Sequence, residues 1–199
     1  MGLDISVISQ IEKVEIPEGI ELWSDEYYDW EETLHGSVWN LRPQYPFHEQ
    51  GEGIEEGAYI STGEDWGFRA GSYGGYGMWR EWLAQAAGHH GAESIWDKAD
   101  EGDYGHPFME LINFSDADGV IGPVASKKLY RDFVTNESNV MNTMDHWYLT
   151  QKPIRHDSWR DGEEPKPIDR GDFQWFQARY KDWTEAFRIA SDNGAVIFH

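Results

Sequence analysis

Apolar side chains recur at intervals of three and four residues near the end of the chain, which is the spacing of one face of an α-helix. The pattern predicts a helix with a narrow buried stripe over residues 173–190. The turn-forming residues 192–194, Asp-Asn-Gly, follow it and lead into residues 195–199, which predict a terminal strand. The stripe consists of Phe173, Phe176, Tyr180, Trp183, Phe187 and Ala190.

A looser alternation of β-branched residues at the other end of the chain predicts one or two strands within residues 3–16, ending at Pro17. The acidic residues 18–58 that follow contain scattered aromatic side chains but no sustained period. We therefore expect a loop-rich acidic insertion there, with a short strand near residues 57–61.

The middle of the chain contains its most unusual stretch, WGFRAGSYGGYGMWREW. We predict that residues 67–70 close a strand, that the glycine-rich residues 71–77 form a loop, and that residues 78–87 form a helix. Gly88 is a suitable C-terminal stop for that helix, because glycine accepts the left-handed conformation that often ends helices.

Further along, the polar residues 89–106 predict a loop, and the apolar residues 108–114 predict a strand. Gly122 followed by Pro123 predicts a helix start, because proline suits the first helical position. The buried stripe expected for this helix is Ala125, Leu129 and Phe133.

Residues 136–149 predict a second short helix, and the charged, proline-containing residues 151–170 predict an exposed linker. We interpret residues 136–170, like residues 18–58, as an insertion or long loop within one globular domain, residues 1–199. Strands and helices do not alternate regularly, so the fold class expected is α+β, with a small mixed β-sheet packed against two or three helices.

The net charge of the chain reduces the number of functions to consider. The chain has 37 Asp+Glu against 16 Lys+Arg, and its formal net charge is −21. This balance argues against direct binding to nucleic acid or to an anionic membrane, because both require a basic face. Two interpretations stay open: the acidic residues keep a protein with 11 Trp in solution, or they imitate nucleic acid and occupy a basic protein groove.

The absence of cysteine excludes disulfides, thiolate catalysis and zinc–thiolate sites. The first residues lack the basic and apolar regions of a signal peptide, and no window approaches the roughly 18 apolar residues of a membrane span. We therefore expect a cytoplasmic protein that does not bind membranes. The sequence indicates no particular cofactor.

The glycine-rich stretch is the first candidate site. Glycines ahead of a helix leave backbone N–H groups free for an anion, although neither Walker A nor G-x-G-x-x-G spacing is present. Arg69 and Arg80 offer bidentate contacts to phosphate or carboxylate, with Ser72 between them. Tyr73 and Tyr76 offer rings that stack on a base. The alternative is that the stretch has only a structural role. Trp79 and Trp82 would then lie in the core, Gly74 and Gly75 would form a tight turn, and the two arginines would pair with neighbouring acidic residues.

The second candidate is NFSDADG, residues 113–119. Asp116 and Asp118 are similar to the start of a calcium loop, but the later ligands of an EF-hand are missing. Two carboxylates after a strand can hold Mg²⁺ or act as acid and base, whereas the bland alternative is that they cap the turn. His199 offers a ring and a carboxylate at the end of the terminal strand. We assign no metal site.

Four segments carry a family resemblance: MGLDIS, GFRAGSYGGYGMWREWL, HPFMELINFSDADGVIGPVASKKLYRDF and WTEAFRIASDNGAVIFH. They resemble an uncharacterised family of small bacteriophage and prophage proteins with the motifs FRAGSYxGYxxWR, ELIxFSDxxGVIGP and GAVxFH. The resemblance covers roughly half of the chain. It implies a phage or prophage origin, and hence a host-cell cytoplasm, but it carries over no residue role.

Three functional hypotheses follow. The leading one is a phage accessory protein that binds a small anionic, nucleotide-like ligand in one pocket and so counters host defence. The second is an acidic interaction protein or DNA mimic that blocks a basic host protein. The third is a hydrolase that uses Asp116 and Asp118 with a metal. The residues expected in the pocket are Arg69, Ser72, Tyr73, Tyr76, Arg80, Asn113, Ser115, Asp116 and His199.

Overall fold

The predicted α+β class is confirmed by the computed structural model, which describes residues 2–34, 38–100, 102, 105–115, 118–156 and 164–199. The strands pair in two antiparallel sheets, where one mixed sheet was expected. In chain order the strands are β1 (Leu3–Ile8), β2 (Ile11–Lys13), β3 (Val38–Leu41), β4 (Gly57–Ser61), β5 (Asp65–Gly71), β6 (Gly119–Ile121) and β7 (Ala195–Phe198).

The helices differ widely in length, and the two longest pack against each other. They are α1 (Asp25–Glu31), α2 (Tyr73–Ala86), α3 (Glu93–Asp100), α4 (Met109–Ile112), α5 (Pro123–Thr150) and α6 (Arg170–Ala190). A single 3₁₀ turn, Phe47–Glu49, precedes β4 within the described residues.

Sheet A has the strand order β5–β1–β7–β6 and brings the two ends of the chain together. Ile5 in β1 lies opposite Phe198 in β7 on one side and opposite Phe68 in β5 on the other. The predicted terminal strand is therefore confirmed, and it lies inside the sheet. Such pairing holds a chain end in place that would otherwise fray.

Sheet B has the order β2–β4–β3 and continues from β1 through Ser9 and Gln10. It packs over one end of the outer face of sheet A, where Ile8, Val120 and Ile197 join Leu41 and Tyr59 in a small second core. The other end of that face is left uncovered, with Asp4 and Arg69 exposed. Sheet B thus divides the outer face into a buried part and a polar part.

The main core lies between the inner face of sheet A and helices α2, α5 and α6. Aromatic rings dominate it, and Trp183 is at their centre with no exposed surface. Its ring centroid lies 5.0 Å from that of Phe68, 5.7 Å from that of Tyr76 and 5.7 Å from that of Phe198. Trp183 therefore joins β5, α2 and β7 through one side chain.

The start of α5 and the buried stripe of α6 confirm the sequence predictions. In α6, the buried residues include Phe176, Tyr180, Trp183 and Phe187, and Asp169 forms a capping box with Asp172. In α5, Pro123 occupies the first turn, and the predicted stripe of Ala125, Leu129 and Phe133 is buried.

Several predictions for the shorter segments are wrong. Residues 136–149 are no separate helix but the second half of α5, where Val140, Met144 and Trp147 are buried. Residues 89–106 contain α3, and residues 18–58 contain α1 and β3 as well as a loop. The strand expected near residues 57–61 is present as β4.

The strand predicted for residues 108–114 is also wrong, because Met109–Ile112 form α4. The buried side chains there are two adjacent pairs, Phe108–Met109 and Leu111–Ile112, followed by Phe114, which is a helical spacing and not a strict alternation. The predicted loop over residues 71–77 is likewise helical, since α2 begins at Tyr73. The predicted stop at Gly88 agrees with its φ of +96° just beyond α2.

Candidate functional site

The glycine-rich stretch forms the first turns of α2. Ser72 precedes the helix in an extended conformation, and its Oγ accepts a hydrogen bond of 3.0 Å from the Gly75 N–H. Serine is among the preferred residues at this position because it satisfies an N–H group that the helix leaves free. One of the donors assigned to an anion is therefore already occupied within the chain.

Ser72→Ala should lower the free energy of unfolding by about 1 kcal/mol, because the Gly75 N–H loses its acceptor. Urea denaturation measures this loss. Ser72→Asp is the matched control, since aspartate also caps helices and should retain nearly full stability. An alanine variant as stable as the wild type would show that the cap contributes nothing.

Tyr76 and Arg80 lie in the interface between α2 and α4. Tyr76 is fully buried, and its hydroxyl donates to the Leu111 carbonyl at 3.3 Å. Arg80 is 3% exposed, its guanidinium carbon lies 4.4 Å from the centre of the Tyr76 ring, and its Nη1 donates to the Phe114 carbonyl at 2.5 Å. These contacts give both residues a structural role in holding α4.

Arg69 and His199 lie on the uncovered part of the outer face of sheet A. Arg69 forms an exposed ion pair with Asp4, with 3.7 Å between Nη1 and Oδ1. The backbone N–H of His199 donates to the Asp4 carbonyl, and its Nε2 lies 3.0 Å from Ser6 Oγ. This polar face is open to solvent, so its ion pair contributes little to stability.

The NFSDADG segment joins α4 to β6. Asn113 ends α4, and Ser115 Oγ accepts a hydrogen bond of 3.4 Å from the Asp118 N–H. Asp118 is exposed and accepts from Gln44 Nε2 at 2.9 Å, whereas Asp116 lies outside the described residues. In the part of the chain that the structure describes, no group of three or more His, Cys, Asp or Glu is placed to hold a metal.

The predicted pocket residues thus fall into groups with different surroundings. Ser72 and Tyr73 begin α2, while Arg69 and His199 lie on the outer face of sheet A. The α2–α4 interface and its following turn hold Tyr76, Arg80, Asn113 and Ser115. For Trp79 and Trp82, the structural alternative agrees with their complete burial.

A cationic site lies elsewhere, at the start of α5. A cavity of about 420 Å³, the basic cavity, is lined by Pro123, Val124, Lys127, Lys128, Arg131, Ser191 and Asn193. The side chains of Lys127 and Arg131 lie one helical turn apart and are exposed. Neither makes a hydrogen bond or an ion pair within the described residues.

A second cavity of about 300 Å³, the acidic cavity, lies on the neighbouring side of the same helical turns. Its lining is Glu49, Gln50, Glu52, Glu110, Val124, Ala125 and Lys128. Val124 and Lys128 line both cavities and form the ridge between them. Each cavity lies in the size range of small-molecule sites.

Lys128 is held firmly on this ridge. Its Nζ lies 2.6 Å from Glu110 Oε2 and 3.0 Å from Asp132 Oδ2. Burial raises the pKa of Glu110, and the ion pair with Lys128 offsets part of that rise. The charge of Lys128 is therefore neutralised by Glu110 and Asp132. Lys127 and Arg131 are the cations of the basic cavity that can contact a ligand.

Sequence reasoning missed this site, although a signal was present. Lys127, Lys128 and Arg131 place three of the 16 Lys+Arg within five residues of a strongly acidic chain. Local clustering of scarce cations indicates a functional patch more strongly than the same residues would in a basic protein. Ser191 and Asn193 approach from the turn after α6, which no sequence pattern indicated.

No protein-family model, curated protein or solved structure matches the chain. The phage-family resemblance therefore stays a prediction. Among the helices of the described residues, none has the length and apolar character needed to cross a bilayer.

Proposed function

We propose that this protein binds a small anionic ligand, and that the anionic group of the ligand occupies the basic cavity. The observation that carries the proposal is the cavity lining, in which Lys127 and Arg131 are available cations in a chain of net charge −21. In an acidic protein, cations without carboxylate partners keep a local positive potential that attracts an anion.

The neighbouring groups support the same conclusion. Gly122 precedes α5 without contributing a side-chain cap, so the first turn of this 28-residue helix adds the positive end of its dipole. Ser191 and Asn193 add polar groups on the far side of the cavity. Arginine and lysine together match the geometry and charge of a phosphate group.

The test measures the binding of inorganic pyrophosphate by thermal shift and by calorimetry, both at constant ionic strength. Pyrophosphate should raise the melting temperature of the wild type, because ligand binding to the folded state stabilises it. The double variant Lys127→Gln/Arg131→Gln should bind at least about tenfold more weakly, since it loses two charge-assisted contacts.

The matched control is Lys181→Gln/Arg170→Gln, which removes the same two charges from exposed positions on α6. It should bind pyrophosphate like the wild type. Equal weakening in both double variants would reveal a general charge effect and overturn the proposed site. Absence of pyrophosphate binding by the wild type would overturn the proposed function itself.

The resemblance to phage proteins suggests what the binding of an anionic ligand would do in a cell. A phage-encoded protein of this kind would act in the host cytoplasm by sequestering an anionic messenger used in host defence. This role rests on the motif resemblance together with the basic cavity. A defence-sensitive phage that expresses the wild type should gain protection, and one that expresses Lys127→Gln/Arg131→Gln should not.

A further inference from the structure

We infer that the ligand is a nucleotide whose base carries an exocyclic amino group, with its phosphate in the basic cavity and its base in the acidic cavity. This inference rests on the proposed function, because it assigns the anionic group to the same cations. It adds the second cavity and identifies the chemical class of the ligand.

The buried amide of Gln50 is the first argument. Gln50 lines the acidic cavity and is 2% exposed, yet its Oε1 accepts no hydrogen bond within the described residues. A buried acceptor without a donor is unfavourable, and native proteins leave few of them. A ligand N–H group in the cavity would provide the missing donor.

The carboxylates of the acidic cavity also favour a donor-bearing group. Glu49 and Glu52 are exposed at its edge, so negative charge lines this side of the ridge while cations line the other. A phosphate would be repelled from the acidic cavity and attracted to the basic one. The arrangement therefore orients a ligand that has an anionic end and a hydrogen-bond-donating end.

The apolar part of the lining suits a flat ring. Val124 is 50% exposed at the ridge, and Ala125 is buried beside it. Val124 and Lys128 separate the two cavities, so a ligand that fills both must cross this ridge. A nucleotide offers a phosphate at one end, a sugar that can cross the ridge and, on adenine or cytosine, an exocyclic amino group at the other end.

Matched pairs of nucleotides test the inference. Calorimetry on the wild type should show that AMP binds about tenfold more tightly than IMP, and CMP than UMP. In each pair the exocyclic amino donor becomes a carbonyl acceptor and the N–H donor moves to the adjacent ring nitrogen, away from the position that the inference assigns to Gln50. AMP should also bind more tightly than ribose 5-phosphate, which lacks a base. Lys127→Gln/Arg131→Gln should weaken AMP by at least about tenfold.

Gln50→Met keeps the length of the side chain and removes its amide, so it should reduce the AMP:IMP preference to near one. Gln44→Met, at an amide outside the cavity lining, should leave the preference unchanged. Equal affinities within both pairs, with pyrophosphate still bound, would overturn this inference and leave the proposed function standing. If the wild type bound no pyrophosphate either, the proposed function would be overturned together with this inference. The wild-type comparison holds whether or not Gln50→Met folds.

Discussion

Trp183→Ala should lower the free energy of unfolding by about 3–5 kcal/mol, the range for removing a large aromatic side chain from a core. Trp183 is completely buried, and its ring contacts come from β5, α2, α6 and β7. The cavity left behind lies between elements that cannot all move inward, so little of it should collapse. Chemical denaturation followed by circular dichroism measures the loss.

The control for this prediction is Trp30→Ala in α1. Trp30 is half-buried, and Tyr27 is its described ring partner at 5.5 Å between centroids. Its loss should cost clearly less than that of Trp183. If the two variants were equally stable, Trp183 would not be the centre of the core. Because a domain is stable by only about 5–15 kcal/mol in total, the loss from Trp183→Ala is a large fraction of the free energy of unfolding.

The features that could be predicted from the sequence are long or strongly periodic. Helix α6 has an apolar stripe over its whole length, and the start of α5 has a proline at a position that favours it. The two chain ends are β-branched and pair in sheet A. In these elements local preference and tertiary packing agree, so a pattern in the sequence was sufficient.

The wrong predictions come from segments where tertiary contacts override local preference. Glycines disfavour a helix by about 1 kcal/mol each relative to alanine, yet Gly74, Gly75 and Gly77 lie in α2. The Ser72 cap and the burial of Tyr76 stabilise the helix there. Such compensation depends on partners from other parts of the chain, which composition does not show.

The candidate site shows the same limit more strongly. Lys127 and Arg131 are close in sequence and were visible as a cluster, but Ser191 reaches the basic cavity only through the packing of α6 on α5. Gln50 reaches the acidic cavity because its carbonyl accepts a hydrogen bond of 2.8 Å from the Gly122 N–H. Both approaches depend on the folded chain, so the site could be predicted only in part.

The second large effect concerns Arg80, which was predicted to contact the ligand in the expected pocket. Its burial reverses that expectation. Arg80→Met keeps much of the side-chain volume but leaves the Phe114 carbonyl without its donor, whereas the Ile112 carbonyl still accepts from Trp96 Nε1 at 3.2 Å. The unsatisfied Phe114 carbonyl and the lost charge-assisted hydrogen bonds should together cost about 2–4 kcal/mol in the free energy of unfolding.

Arg69→Met is the comparison, because Arg69 belongs to the same motif but forms an exposed ion pair, which is worth about 1 kcal/mol or less. Urea denaturation should separate the two variants clearly, while pyrophosphate binding, measured below the melting temperature, should be retained by both. A stable Arg80→Met protein that no longer binds pyrophosphate would move the site back to α2. A destabilised Arg80→Met protein that still binds pyrophosphate would show that Arg80 stabilises the fold and that Lys127 and Arg131 bind the anion. Arg80 is buried and already hydrogen-bonded, whereas Lys127 and Arg131 are exposed and can contact a ligand.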